Sequence, residues 1–151
     1  MFSVLLKSLR VYQWSKNLLV FAALIFAQQV HLPHQVLRSL VAFAAFCAAS
    51  STMYLFNDLI DVESDRVHPE KRTRPLASGA LSYGMGIFLT VALCGISLAL
   101  GFGLGVKFLL AVVFYLVLTT LYTVALKKVV IVDVIMIALG FVIRAMAGAI
   151  A

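Results

Sequence analysis

Five of the six acidic side chains in this 151-residue chain fall within thirteen residues: Asp58, Asp61, Glu63, Asp65 and Glu70. Four of its twelve Lys/Arg lie in or directly after that stretch, at Arg66, Lys71, Arg72 and Arg74. On an α-helix turning about 100° per residue, Asp61 and Asp65 lie within about 60° of Asp58, and Asn57 about 100° away on the same side. Glu63 points about 140° away. Adjacent carboxylates repel one another unless a cation joins them. Oxygen-only ligands suit Mg2+, which commonly takes one or two carboxylates and leaves positions for phosphate oxygens. Guanidinium groups suit bidentate contact with phosphate. The pattern predicts that Asn57, Asp58, Asp61 and Asp65 hold Mg2+, with the three aspartates as catalytic carboxylates. Arg66, Lys71, Arg72 and Arg74 are expected to bind substrate phosphate. A solvated loop of mixed charge accounts for Glu63, Glu70 and Lys71, but not for four ligands aligned at the end of an apolar helix.

Other candidates are spread along the chain. Lys16 and Asn17 are expected where a first span meets the same face; an interfacial anchor and a phosphate contact are equal readings. Tyr122, Lys127 and Lys128 close a later span on that face. Topology alone accounts for the two lysines, and a diphosphate or lipid-phosphate contact is the alternative. Arg144 falls about 16 Å deeper than Asp133 by helical rise. A mid-membrane arginine normally faces a partner or a cavity, and a structural role is preferred here over a substrate-facing one. Cys47 and Cys94 sit in apolar runs and read as small hydrophobes, with no disulfide or metal-ligand spacing. No Ser/His/Asp or Cys/His arrangement for nucleophilic catalysis is present.

The elements that must position these groups are membrane helices. The chain is 64% hydrophobic and 12% charged, against about 45–50% and 25% for soluble domains. Its mean hydropathy is +1.09, which excludes a soluble fold and predicts an all-α polytopic transmembrane bundle. The net charge of +6 then reports topology and anionic headgroups, not nucleic acid. Five spans are expected, at 12–30, 36–60, 81–104, 106–126 and 129–151, in one transmembrane domain covering 1–151. All three prolines fall between them. Three Lys/Arg precede span one, four lie in the 66–80 loop and two at 127–128, whereas the other side has only Arg38 and Lys107. That asymmetry places the N-terminus and the acidic motif in the cytoplasm, in a plasma or inner membrane. No cleavable signal is expected. The last span ends in Gly148-Ala149-Ile150-Ala151 without an interfacial anchor, so the natural polypeptide is expected to continue.

Asn57-Asp58-x-x-Asp61-x-x-x-Asp65, followed by Arg74-Pro75-Leu76-Ala77-Ser78-Gly79, resembles the first aspartate-rich motif of the UbiA superfamily of membrane prenyltransferases. That resemblance implies a bundle of about nine helices, five of them here. It also implies a second aspartate-rich motif, and Mg2+ ions shared by the two motifs on a donor diphosphate. After Glu70 the only acid is Asp133, so the chain is expected to be the N-terminal part of an incomplete enzyme. Gln13-Trp14-Ser15-Lys16-Asn17-Leu18-Leu19-Val20-Phe21 and His68-Pro69-x-Lys71-Arg72-x-Arg74-Pro75 resemble the decaprenyl-phosphate phosphoribosyltransferase branch. That branch implies transfer from phosphoribosyl diphosphate to a polyprenyl phosphate in cell-wall arabinan precursor synthesis. The enzyme alternative is an aromatic prenyltransferase of 4-hydroxybenzoate, quinone or haem synthesis. The non-enzyme alternative is a membrane remnant or partner subunit that binds phospholipid. The implied partners are a polyprenyl lipid, a diphosphate donor and membrane lipid.

Overall fold

The computed structural model describes residues 2–126 and 130–151, with side chains placed at 3–125 and 134–151. Lys127 and Lys128 lie outside the described residues, as does the side chain of Asp133. The described residues form an all-helical bundle without strands. The short helix α1 (Phe2–Ser8) ends in a reversal at Arg10, whose backbone is left-handed at φ 50°. A 3-10 helix (Val11–Phe21) runs into α2 (Ala22–Phe26). Eleven residues of 3-10 helix is a long run for a geometry whose side chains eclipse.

Helix α3 (Pro33–Ile60) is the centre of the bundle and starts with Pro33 in its first turn, where a missing amide hydrogen costs nothing. Small residues on α3, among them Ala42, Ala45, Ala49 and Ser51, are fully buried and let neighbouring backbones approach. Phe46 packs edge-on against Phe108 at 5.9 Å and Tyr115 at 5.6 Å between ring centres. Helix α4 (Val62–Val67) follows, then a loop containing a 3-10 turn, Lys71–Thr73. The Ser82 hydroxyl accepts a hydrogen bond from the Met85 amide and caps α5 (Tyr83–Leu104). Gly105 alone joins α5 to α6 (Val106–Leu121), at a φ of 117° that favours glycine. A π-helical turn (Tyr122–Leu126) extends α6, and α7 (Val130–Ile150) returns against the 3-10 helix. There Gly148 lies so close to Val20 that a Cβ would collide with the Val20 carbonyl.

Three stretches, Pro33–Ile60, Tyr83–Leu104 and Val106–Ala125, are long and apolar enough to cross a membrane. Val11–Phe26 and Val134–Ile150 are shorter apolar helices. The outward faces of α5 and α6 carry exposed Phe88, Val91, Phe102, Leu110 and Phe114. That pattern suits contact with lipid.

One expectation is corrected. The helix read as unbroken from span two through Asp65 stops at Ile60, and Asp61 sits at a break with φ −91° and ψ 4°. The Asp61 carbonyl accepts from both the Asp65 amide, at 2.8 Å, and the Ser64 hydroxyl, at 2.8 Å. Asp and Ser side chains compete for backbone partners in this way, and a run of them is a weak helix. The helix is interrupted there, although the Asp61 amide still bonds the Asn57 carbonyl at 3.0 Å.

Candidate active site at the end of the central helix

The loop after α4 is built to place one arginine. The imidazole Nδ1 of His68 accepts from the Glu70 and Lys71 amides, at 3.2 and 3.3 Å, and sets the first turn. Leu76 and Leu81 then bury against Leu55 and Leu59 of α3. The amides of Ser78 and Leu81 bond back to the carbonyls of Arg74 and Pro75, each at 2.9 Å. This clamp holds the Arg74 side chain beneath the acidic motif.

Arg74 Nη1 donates to Asp58 Oδ1 at 3.1 Å and to Asp65 Oδ2 at 2.7 Å. Both aspartates are buried, at 4% and 2% exposure. Arg10 Nη2 donates to the same Asp58 oxygen at 2.7 Å and lies over the Tyr54 ring at 4.9 Å. Two carboxylates and two guanidiniums thus neutralise one another at the end of α3. Asp61 is half-buried at the helix break. Arg66 instead pairs with Glu63 at 2.8 Å on the exposed outer face. Lys71 and Arg72 are also exposed.

Beside this cluster opens a cavity of about 330 Å³. Among the described residues its charged lining is Arg10, Lys16 and Arg144, and Asn57 and Tyr122 add polar groups. Of the residues singled out in the sequence, the cavity brings together Lys16, Asn57 and Tyr122. Asp58, Asp65, Arg66, Lys71, Arg72 and Arg74 do not line it. Asn17 does not reach it either: it is fully buried and donates to Cys47 Sγ at 3.3 Å and Ser50 Oγ at 3.2 Å. Its carbonyl accepts from Arg144 Nε at 2.7 Å.

Two participants were not read as site residues from the sequence. Arg10 appeared only as part of a basic lead-in, because nothing local ties it to an aspartate 48 positions away. Tyr115 was not singled out; a hydroxyl in a membrane span was the available signal.

The donor chemistry fits Mg2+ held jointly with a phosphate-bearing ligand. Asp58 Oδ2 and Asp65 Oδ1 make no hydrogen bond among the described residues, which leaves one oxygen of each carboxylate for a further ligand. Two carboxylates suffice for Mg2+ when water and phosphate fill the remaining positions. A closed protein-only cage does not fit: among the described residues no three His, Cys, Asp or Glu side chains converge. Of the three expected carboxylates, Asp58 and Asp65 are bridged by Arg74, and Asp61 stands between them at the helix break.

The chain is similar to known proteins. The chain is 39% identical over 151 residues to a decaprenyl-phosphate phosphoribosyltransferase of Corynebacterium glutamicum, covering 97% of this chain and 46% of that protein. A solved digeranylgeranylglyceryl phosphate synthase superposes with a TM-score of 0.86 at 20% identity, over 97% of this chain and 52% of the other, which establishes the fold. A UbiA homologue from Archaeoglobus fulgidus, bound to GPP and Mg2+, superposes with a TM-score of 0.75 at 25% identity, over 95% of this chain and 52% of the other. The chain spans about half the length of each. A family model described as the UbiA prenyltransferase family matches residues 17–151, and the chain belongs to that family.

Proposed function

We propose that this chain forms the first part of a Mg2+-dependent membrane transferase that displaces diphosphate from its donor. The preferred reaction is transfer of a 5-phosphoribosyl group from phosphoribosyl diphosphate to a polyprenyl phosphate such as decaprenyl phosphate. The observation that carries this reading is a cavity whose described charged lining is cationic, opening beside two buried carboxylates. The name of the relative at 39% identity supports the choice of substrates.

Asp58 and Asp65, with Asn57 and Asp61 beside them, would hold the metal. Bound Mg2+ would neutralise charge growing on the departing diphosphate. Arg10 and Arg74 sit close enough to exchange a carboxylate oxygen for a phosphate oxygen as ligand enters. Lys16, exposed and lining the cavity, attracts the anionic donor, and Tyr122 offers a hydroxyl at the same end. A lipid phosphate is already ionised near neutral pH and needs no strong base. Among the described residues the cavity lining has no His, Asp or Glu, in keeping with that requirement. The excess of Lys/Arg around the N-terminus and the 66–80 loop supports a cytoplasmic position for this face.

Prenyl transfer to an aromatic acceptor is the second reading, favoured by GPP and Mg2+ in the archaeal homologue. The two separate in membranes that contain the expressed protein and receive each donor–acceptor pair. Labelled lipid from phosphoribosyl diphosphate and decaprenyl phosphate is expected. Product only from a prenyl diphosphate with 4-hydroxybenzoate would overturn the assignment.

A further inference from the structure

Arg144 is 6% exposed, yet among the described residues every group it bonds is neutral. Nε donates to the Asn17 carbonyl at 2.7 Å, Nη1 to the Gly140 carbonyl at 2.6 Å and Nη2 to the Tyr115 hydroxyl at 3.0 Å. The salt bridges among the described residues join Arg10, Arg66 and Arg74 to Asp58, Glu63 and Asp65; none includes Arg144. A buried guanidinium without a counterion is costly in any interior and more so within a membrane bundle. Three of its five N–H donors are used, which leaves two. The Tyr115 oxygen accepts from Arg144, and its own proton goes to no described acceptor. Both side chains line the cavity.

Depth separates this end of the cavity from the metal-binding end. Asn17 ties Arg144 to the level of Ser50, eight residues before Asp58 on α3, or about 12 Å of helical rise. Tyr115 lies seven residues before Tyr122 on the helix of α6, or about 10 Å. A diphosphate held at Asp58 and Asp65 would leave this end free. A purely structural cross-link between α7, α6 and the 3-10 helix explains the three bonds. It does not explain why the linking group carries a charge and keeps unused donors at a cavity wall.

We propose that Arg144 and Tyr115 form a second anion seat, separate from the metal site, which takes a phosphate monoester of a substrate. Asn17 is its positioning residue, fixing the guanidinium through Nε. The seat rests on the reading that a metal-bound diphosphate occupies the mouth. Two substrates carry such a group: the 5-phosphate of the donor and the phosphate of the polyprenyl acceptor.

The test measures binding to the purified protein in detergent with three probes: inorganic diphosphate plus Mg2+, phosphoribosyl diphosphate plus Mg2+, and farnesyl phosphate as a short polyprenyl phosphate. Wild type is compared with R144M, Y115F and N17D; N17D keeps the arginine but supplies an internal counterion that competes with ligand. N17D and R144M are expected to weaken one monoester probe at least about tenfold, and Y115F the same probe by a smaller factor. Inorganic diphosphate should change less than about twofold. Loss of phosphoribosyl diphosphate alone assigns the seat to the donor, and loss of farnesyl phosphate alone assigns it to the acceptor. Unchanged affinity for both in N17D, which needs no cavity-creating truncation, overturns the seat. Failure of wild type to bind diphosphate with Mg2+ would instead sink the metal–diphosphate reading, and the farnesyl phosphate arm would still report on Arg144.

Discussion

Replacing Arg74 by Gln asks whether the two buried carboxylates need a cation between them. Arg74 Nη1 reaches Asp58 at 3.1 Å and Asp65 at 2.7 Å, whereas Arg10 reaches only Asp58. R74Q therefore leaves Asp58 with one guanidinium and Asp65 with none among the described residues. Removing one partner of a buried ion pair costs about 3–5 kcal/mol. The upper end is capped at about 4 kcal/mol at pH 7, because an isolated carboxylate can take up a proton for that cost. The Arg74 side chain is 24% exposed, so water shares part of the charge and about 3 kcal/mol is the expected loss. In a protein of this size that lowers Tm by roughly 6–12 °C. Mg2+ should replace the missing charge. Stabilisation by a ligand grows with its occupancy of the native state, so millimolar Mg2+ should recover about half of the loss in R74Q and move wild type much less. The assay is thermal denaturation in detergent, in EDTA and in MgCl2. A third variant, D65N/R74Q, has no uncompensated charge and should regain about 2 kcal/mol. A Tm for R74Q within about 2 °C of wild type in EDTA, or an equal Mg2+ response in both proteins, would refute the reasoning.

Other perturbations follow from the same geometry. D58A should lower Mg2+-dependent transfer at least about 100-fold in a membrane assay, since it removes a metal ligand and the partner of two arginines. K16Q should raise KM for the anionic donor by about threefold at low salt with kcat retained, and the effect should shrink as salt is added. F46A removes a fully buried ring packed on Phe108 and Tyr115 and should destabilise by about 3–5 kcal/mol in denaturation. G148V forces a side chain against the Val20 carbonyl and should cost about 1–3 kcal/mol, with faster proteolysis between α2 and α3.

The membrane class and the all-helical fold were legible because they rest on properties summed over many residues. Apolar runs and the prolines between them read locally. The acidic cluster stood out in the same way, since its spacing lies within thirteen positions of the chain. The partnerships inside the site were not legible. Arg10 and Asp58 are 48 residues apart, and Asn17 and Arg144 are 127 apart. No periodicity reports on pairs that distant. The break at Asp61 was missed for a different reason. A helical wheel assumes continuity, and the competition of Asp and Ser for backbone hydrogen bonds sets in where the apolar run ends. Lys16 and Asn17 show the limit most clearly. They are neighbours in sequence, and the structure turns one to the cavity and the other into the core.

The central position of α3 has a consequence for how the protein is made. Its most apolar window has a mean hydropathy of 1.6, against 2.3 for α5 and 2.2 for α6, and it is 67% buried where theirs are 11% and 22%. Ser39, Ser50, Ser51, Thr52 and Asp58 all face inward from it. Ser50 and Thr52 bond carbonyls of α3 itself, but alone in lipid Ser51 would lose the Leu9 carbonyl and Asp58 its two arginines. The α5–α6 pair carries few such groups and is closed by a single glycine, so it can partition into the bilayer as a hairpin. Yet α3 leaves the ribosome first. Its release into the bilayer therefore depends on segments synthesised after it, and a substitution that weakens α5 or α6 will show first as failed insertion of α3.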